Sequence, residues 1–517
     1  FFQEQGVELA PGPKELMNMQ RFYLYLNMTK PGEKLILSYS DTNAKGEGIS
    51  PAYLIGSIRS LYPKLEIEGG AGVRPHKNSI NNYCYPENPE AGIDLFLEKL
   101  VQETEKEHED ILEQADETDA MFGELYSWYL RNTEYRSRVQ KLVQSAFAGK
   151  PEDIISQSVA KALYGEVSPY SATRLERFAA CAFAHFLQYG MKLTERVEYE
   201  FKPMDMGNVM HEALESFAEE VRKRGMKWTE LTEQERNEIA DRCLDNIVAD
   251  YGNTVLKSSA RNEYMIERTR RILRRTVWAL QKQLEQGEFQ PEGFEVTFGG
   301  GRIDRVDIME DQNKVYVKVI DYKTGNTSFD LVYLYHGLQL QLMIYLDGAL
   351  RVEQKKYPDK EIIPAGVFYY NIKDPMIQEK IDADVEAVSA GLMKELKMNG
   401  LVQADPELVY RMDSSLGSIP VAFNKDGSFR KNSSVADRTQ FAVLGRYVRT
   451  KIEKIRSSIL EGDAEVSPYE LGKKNACTYC PYMTVCGFDR RLSGYEFRRL
   501  KNFSDEELWK AFDREAE

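Results

Sequence analysis

Cysteine is scarce in this chain, six in 517 residues, too few for a fold stapled by disulfides. Long apolar runs are missing too. No stretch approaches the roughly 20 apolar residues that cross a bilayer, and the chain does not open on a secretory leader pattern. The expected setting is therefore the cytoplasm, with no membrane partner. Basic residues fall short of acidic ones, 68 Lys and Arg against 82 Asp and Glu, for a net charge of −14. That balance argues against a protein that coats nucleic acid, because phosphate contacts need cations. A Gly-x4-Gly-Lys-Ser/Thr phosphate loop is absent, which excludes ATP binding by that route. There is no internal repeat and no low-complexity tract. The first residue is Phe1 rather than a methionine, which reads as a start inside a longer protein.

What is present suits a soluble globular chain, with 42% hydrophobic, 29% charged and 11% aromatic residues. Its length implies three or four structural units. Residues 1–75 open with a helical stretch, Glu15 to Leu26, a strand-like Lys34 to Ser40 and an apolar helix, Tyr53 to Leu61. Residues 76–167 read as a charged helical connector. At Ser168 the composition breaks, and Thr173 with Glu176 makes a capping-box signature for a helix to about Tyr189 that carries Cys181. Another helix begins near Met206 and sets His211 and Glu215 on one face. Two basic runs, Arg268, Arg270, Arg271, Arg274 and Arg275, then Arg490, Arg491, Arg498, Arg499 and Lys501, are either a phosphate-binding surface or a solvated helix face.

Past Gly287 the period changes from 3.6 to 2. Phe294 to Phe298, Arg302 to Ile308 and Lys314 to Lys323 read as a meander, followed by a helix over Tyr335 to Arg351 and a fourth strand, Ala365 to Asn371. The expected class is α/β, with a compact core at 291–372. In the third strand Asp321 and Lys323 point to one face, and Asp304 of the preceding strand reaches the same end, whereas Asp307 points to the other. Carboxylates from two adjacent strands can hold a divalent cation, and His211 can add a nitrogen. A lysine beside them can orient a nucleophile or steady developing charge, the chemistry of phosphodiester hydrolysis. Taken singly, Asp-x-Lys is an ordinary strand edge and His211 an ordinary structural histidine; the combination carries the reading.

That combination resembles the PD-(D/E)XK nuclease superfamily, and its RecB-like branch in particular. The matching residues are Met206 to His211, Gly301 to Asp307 with Asp304, Val319 to Gly325 with Asp321 and Lys323, and Gln341-x3-Tyr345. The resemblance implies a mixed sheet flanked by helices. It also implies that His211, Asp304 and Asp321 bind Mg2+, or Mn2+, that Lys323 is the catalytic lysine, and that Gln341 and Tyr345 face the site and the DNA. Gln339 is the competing glutamine, and a buried amide and ring on an apolar helix is the plain alternative.

Cys477-x2-Cys480-x5-Cys486 places three thiols in one loop, one short of the usual count for zinc or an iron–sulfur cluster. Three unrelated thiols also remain open, and Cys84 and Cys243 read as buried free thiols. The stretch Ser171 to Phe186 resembles the opening helix of iron–sulfur RecB-like nucleases, and Cys477 to Phe488 their closing loop. The resemblance implies a [4Fe-4S] cluster on Cys181, Cys477, Cys480 and Cys486 that clamps a nuclease domain, 168–490, ahead of a tail at 491–517.

The order of parts resembles the AddB chains of AddAB-type helicase–nucleases, with Asn18 to Tyr39 as a helicase-like remnant whose Thr29-Lys30-Pro31 lacks the ATP-contacting arginine of working motors. What this implies is a DNA exonuclease beside an AddA-like helicase/nuclease subunit, acting in double-strand break repair by homologous recombination. The alternatives are an iron–sulfur DNA-binding or assembly subunit with an inactive core, and a different RecB-like iron–sulfur exonuclease.

Overall fold

The structure is a computed structural model that describes residues 11–40, 49–65, 88–105, 117–146, 154–165, 171–194, 196, 203–250, 259–299, 301–377, 384–490 and 494–516. The chain divides into two compact units, Phe1–Ala146 and Phe147–Glu517.

The first unit contains α1 (Pro13–Thr29), α2 (Tyr53–Leu61), α3 (Pro89–Glu105), α4 (Glu117–Arg131) and α5 (Arg136–Ala146). Pro13 opens α1 where its missing N–H costs nothing, and Glu15 accepts from the Gly12 amide at 2.8 Å. The last three helices close on a small core of Ile93, Phe96, Leu100, Leu125, Tyr129 and Val139. The strand expected over Lys34 to Ser40 does not form. Among the described residues no other segment pairs with it, and a lone strand leaves its N–H and C=O groups to water. Leu35, Ile36 and Leu37 are accordingly exposed.

The second unit begins with α6 (Gln157–Tyr164), α7 (Ala172–Ala180), α8 (Ala182–His185), α9 (Pro203–Lys223), α10 (Glu233–Asp250) and α11 (Ala260–Glu285). The sheet follows as β1 (Gln290–Phe298), β2 (Gly301–Asp311) and β3 (Lys314–Lys323), then α12 (Leu331–Tyr335), α13 (Gln341–Lys356) and β4 (Glu361–Asn371). After α14 (Val385–Glu395) come β5 (Asn399–Gln403), α15 (Pro406–Met412), β6 (Val435–Ala436) and α16 (Arg438–Glu461). The C-terminal part holds β7 (Tyr469–Leu471), β8 (Lys474–Asn475), α17 (Met483–Cys486), β9 (Arg498–Arg499) and α18 (Asp505–Ala516). Elements of this unit thus lie on both sides of the 168–490 range.

The six strands lie in chain order, β1 to β6. β1, β2 and β3 form an antiparallel meander, while β3 and β4 run parallel; α13 makes the crossover a parallel pair needs. The sheet separates two cores. On one face Met210, Phe217, Leu244, Leu273 and Leu280 of α9 to α11 pack on Tyr316, Ile320 and Phe368. On the other, Leu175 of α7, Leu342 and Leu346 of α13, and Leu444 and Tyr447 of α16 pack on Val315, Val317 and Val319. The fit is close where α13 crosses β1: a Cβ on Gly348 would stand 2.6 Å from the Phe298 ring, nearer than atoms pack.

The helix expected from Thr173 to Tyr189 is broken and differently capped. Ser171 is its N-cap, its hydroxyl accepting from the Arg174 amide at 3.4 Å, which leaves Glu176 free for another partner. Cys181 then takes an extended backbone, φ −166°, and separates α7 from α8.

Candidate active site and cysteine group

The end of β3 sets the site. Asp321, on the face of Val315, Val317 and Val319, is 1% exposed, and Asp304 on β2 comes to the same end. Asp304 Oδ2 accepts from the Tyr322 amide at 2.7 Å, which fixes the carboxylate against the neighbouring strand. Lys323 Nζ stands 2.6 Å from Asp321 Oδ2 and donates to Gln341 Oε1 at 2.8 Å. That ion pair is the contact by which the fold itself answers the buried Asp321 Oδ2. Gln341 Nε2 in turn donates to the Tyr345 hydroxyl at 2.9 Å, one helical turn on. The competing Gln339 is engaged elsewhere, accepting from the Asp330 amide and donating to the Ser328 carbonyl.

His211 reaches the same place from α9, its Nδ1 3.4 Å from Asp304 Oδ2 and 3.8 Å from Glu295 Oε1. Glu295 was not anticipated. One ligand atom from each of His211, Glu295 and Asp304 lies within 4.8 Å of the others; Asp321 adjoins this trio across the strand pair. Glu295 sits between Phe294, paired with Arg305, and Val296, paired with Ile303, which puts it opposite Asp304. Its φ of 49° is a left-handed conformation that a glutamate adopts at a cost of order 1–3 kcal/mol, as residues at functional sites often do. The kink breaks the alternation of β1, so that Phe294 joins one core and Val296 and Phe298 the other.

The electrostatics are those of a crowded anionic pocket, in which Lys323 pairs with Asp321, Arg302 lies 2.5 Å from Glu295 Oε2, and Asp304 has only the His211 imidazole beside it. Burial and the nearby Asp321 push the Asp304 carboxyl up to about 7. Burial likewise raises Asp321, although Lys323 opposes it. For His211 burial works the other way, but Glu295 and Asp304 hold its imidazole above the usual range. Crowded buried carboxylates and one imidazole fit a hard divalent cation, which would return them to their charged and neutral forms respectively.

The four cysteines converge on one cavity with Phe183, Ala184, Val466, Tyr482 and Phe488, and all four are free thiols. The break after α7 turns Cys181 toward the loop of Cys477, Cys480 and Cys486. Burial followed by the other three sulfurs pushes the Cys477 thiol up to about 12, so four thiolates there require a bound cationic centre. Among the described residues no three of these sulfurs lie within 4.8 Å of one another. Four thiols around one cavity are a donor set that suits zinc or an iron–sulfur cluster. Backbone amides of Ala184, Ser467 and Phe183 face the Cys181 sulfur and oppose the effect of its burial. Arg177 reaches Cys480 Sγ at 3.9 Å and lies over the Tyr482 ring at 5.6 Å. Cys243 is buried away from both sites, and Cys84 lies outside the described residues.

The basic run of α11 is largely neutralised. Arg270 pairs with Asp245 at 2.7 Å, Arg271 with Asp374 at 2.5 Å and Arg274 with Asp241 at 2.8 Å, the bland reading of that stretch. In the later run Arg498 donates to the Ala179 carbonyl and Lys501 pairs with Glu507, while Arg491 lies outside the described residues.

Known proteins match this arrangement along the whole chain. It is 39% identical to the B-type chain of the ATP-dependent helicase/deoxyribonuclease of Lachnoclostridium phytofermentans, over 100% of the chain and 45% of that protein. The corresponding chains of the ATP-dependent helicase/deoxyribonucleases of Clostridium acetobutylicum and Thermoanaerobacter sp. (strain X514) are 31% and 30% identical over 99% of the chain and 45% of their own length. The chain thus spans a little under half of these relatives. Residues 169–487, which hold the carboxylates, the lysine and the cysteine group, match the model of the PD-(D/E)XK nuclease superfamily, and the chain belongs to that superfamily.

Proposed function

We infer that this chain is the nuclease-bearing part of an AddB-type component of a helicase–nuclease, and that it acts as a Mg2+-dependent deoxyribonuclease that degrades DNA from its ends. One observation carries the reading. Asp304, Asp321, Lys323, His211 and Glu295 gather from β1, β2, β3 and α9 at one strand end, the two aspartates buried and the other three half-buried. His211, Glu295, Asp304 and Asp321 would hold Mg2+, or Mn2+ in its place. A cation bound there supplies Lewis acidity toward the phosphodiester and lowers the pKa of a water. The chain's own groups do the rest. Lys323, held by Gln341 and Asp321, presents its ammonium where charge develops on the phosphate oxygens. Tyr345 braces Gln341 from the next turn.

Cys181, Cys477, Cys480 and Cys486 would hold a [4Fe-4S] cluster, which closes a loop of nearly the whole nuclease domain, 168–490, and so couples ligand binding to its folding. Residues 1–75 are the end of a helicase-like domain, 76–167 the helical connector and 491–517 the tail. The named relatives are components of an ATP-dependent helicase/deoxyribonuclease, which supports a helicase partner; an AddA-like helicase/nuclease, a role in recombinational repair of double-strand breaks and a cytoplasmic location complete the reading. No helix among the described residues is long and apolar enough to cross a membrane.

The test is purification without oxygen, followed by visible absorption, iron content and cleavage of linear DNA with Mg2+ for wild type and Lys323→Ala. A brown, iron-loaded protein whose cleavage depends on Lys323 is expected. A colourless zinc protein would sink the cluster, and equal cleavage by the two forms the active site.

A further inference from the structure

The helix that carries Gln341 begins without a cap of its own. The first N–H groups of any α-helix lack intrahelical acceptors. Leu340, the N-cap of α13, supplies no side-chain hydrogen bond. The acceptor comes instead from a residue 164 positions earlier in the chain. Glu176 Oε1 accepts from the Leu340 amide at 2.7 Å and the Gln341 amide at 3.0 Å. Glu176 lies on α7, between Leu175, which is buried in the shared core, and Arg177, which reaches Cys480. Cys181 ends the same helix. Gln341, whose amide is held by Glu176, is also the residue whose side chain accepts from Lys323.

We propose that Glu176 is a positioning residue for the catalytic lysine: its carboxylate fixes the start of α13, and through Gln341 it sets where the Lys323 ammonium stands. This rests on the reading of Lys323 given above. The helix leading into the cysteine group thereby sets the geometry of the cutting site, and the two halves of the domain share one rigid connection. Burial pushes the Glu176 carboxyl up to about 7, opposed by the two amides and Lys323, so the fold keeps this acid inside against its desolvation cost. A misplaced catalytic group lowers turnover without weakening substrate binding.

The test compares wild type, Glu176→Ala, Glu176→Gln and Lys323→Ala in the intact protein. Backbone amide exchange is followed over the peptide spanning 338–346, together with the iron or zinc content and steady-state cleavage of linear DNA. In Glu176→Ala the Leu340 and Gln341 amides should exchange about tenfold faster or more, since a local opening is no longer opposed. Its kcat should fall about 10- to 100-fold at unchanged KM and metal content. Glu176→Gln, which keeps an acceptor oxygen, should recover most of both. Unchanged exchange in Glu176→Ala, or a loss confined to KM, overturns the proposal, and so does a glutamine variant no better than alanine. If Lys323→Ala loses cleavage while Glu176→Ala retains it, this inference alone fails; if both cut like wild type, the reading of the active site fails with it.

Discussion

The two faces of β2 and β3 bury the same kinds of side chain and treat them in opposite ways. On the face toward α9, α10 and α11, Asp307 is 0% exposed and closed by cations from within the fold. Arg305 donates to it at 2.5 and 2.9 Å, and Lys318 Nζ lies 2.9 Å away. Burial opposes ionisation there, yet the two cations hold the Asp307 carboxyl below its usual range. On the face toward α7 and α13, Asp304 and Asp321 are buried almost as deeply, but burial raises both and only Lys323 answers them from within the sheet. A buried charge that the fold pairs itself serves the fold. One left short of a partner suits the cation of the proposed function.

The contrast breaks most plainly on the paired face. Asp307→Asn leaves Arg305 and Lys318 buried without their counter-charge and should cost about 3–5 kcal/mol of stability, read as a lower urea midpoint. Asp321→Asn removes a raised carboxyl and should leave the midpoint equal or higher while abolishing cleavage. Equal destabilisation by the two would erase the distinction. Next in size is Lys323→Ala, which should lower cleavage about 10²- to 10³-fold with little change in unfolding, because its ammonium is partly exposed and its partner Asp321 is already raised toward neutrality.

These expectations differ in how far the sequence alone could reach them. Period-2 alternation was enough to put Asp321 and Lys323 on one face and Asp307 on the other, and adjacency in the meander brought Asp304 to the same end. The cysteine spacing likewise marked Cys477, Cys480 and Cys486, and Cys181 joins them in one cavity. Glu295 escaped because strict alternation gives no warning of a left-handed residue that bends β1 and splits its apolar side chains between two cores. The hairpin register did contain the signal, since counting back from Gly301 sets residue 295 opposite 304. Glu176 was legible only as a local cap for Thr173. A partner 164 residues away is set by packing, and Ser171 had already taken the local role. Lys34 to Ser40 shows the converse, a β-rich run that finds no strand to pair with among the described residues.

A smaller effect sharpens the comparison on the unpaired face. A cation that binds only the folded protein stabilises it by about 2.7 kcal/mol at 100 times its dissociation constant. Mg2+ should therefore raise the melting temperature of wild type over that in chelator, and Asp304→Asn should lose most of the increment. An equal increment in Asp307→Asn would show that the paired face takes no part in holding the ion. An undiminished increment in Asp304→Asn would place the ion elsewhere.

The smallest effect is in the pH dependence without metal, where the two faces carry opposite signs. Asp304 keeps its proton in the folded protein up to about 7, whereas the unfolded chain gives it up near the ordinary value of about 3.9. Between those limits folding takes up a proton, so this carboxyl's contribution to stability is complete below the unfolded pKa and is lost as pH rises through the folded one. His211, also raised, adds to the same trend from the unfolded imidazole value upward. Asp307 behaves inversely: its pKa is depressed in the fold, so its contribution is present above the unfolded value and is lost only in strong acid. From pH 5 to pH 8 in chelator the Asp304 contribution should decline at up to about 1.4 kcal/mol per pH unit, with Glu176, pushed by burial up to about 7, adding the same sign and His185, lowered by burial to about 3, the opposite one up to the unfolded imidazole value. Asp304→Asn should flatten the decline, and saturating Mg2+ should remove Asp304's share of it, because the cation-bound carboxylate is unprotonated in the fold as it is in the unfolded chain above pH 5. A slope that survives Asp304→Asn unchanged would mean that Asp304 ionises as freely in the fold as in water, and that other groups carry the pH dependence.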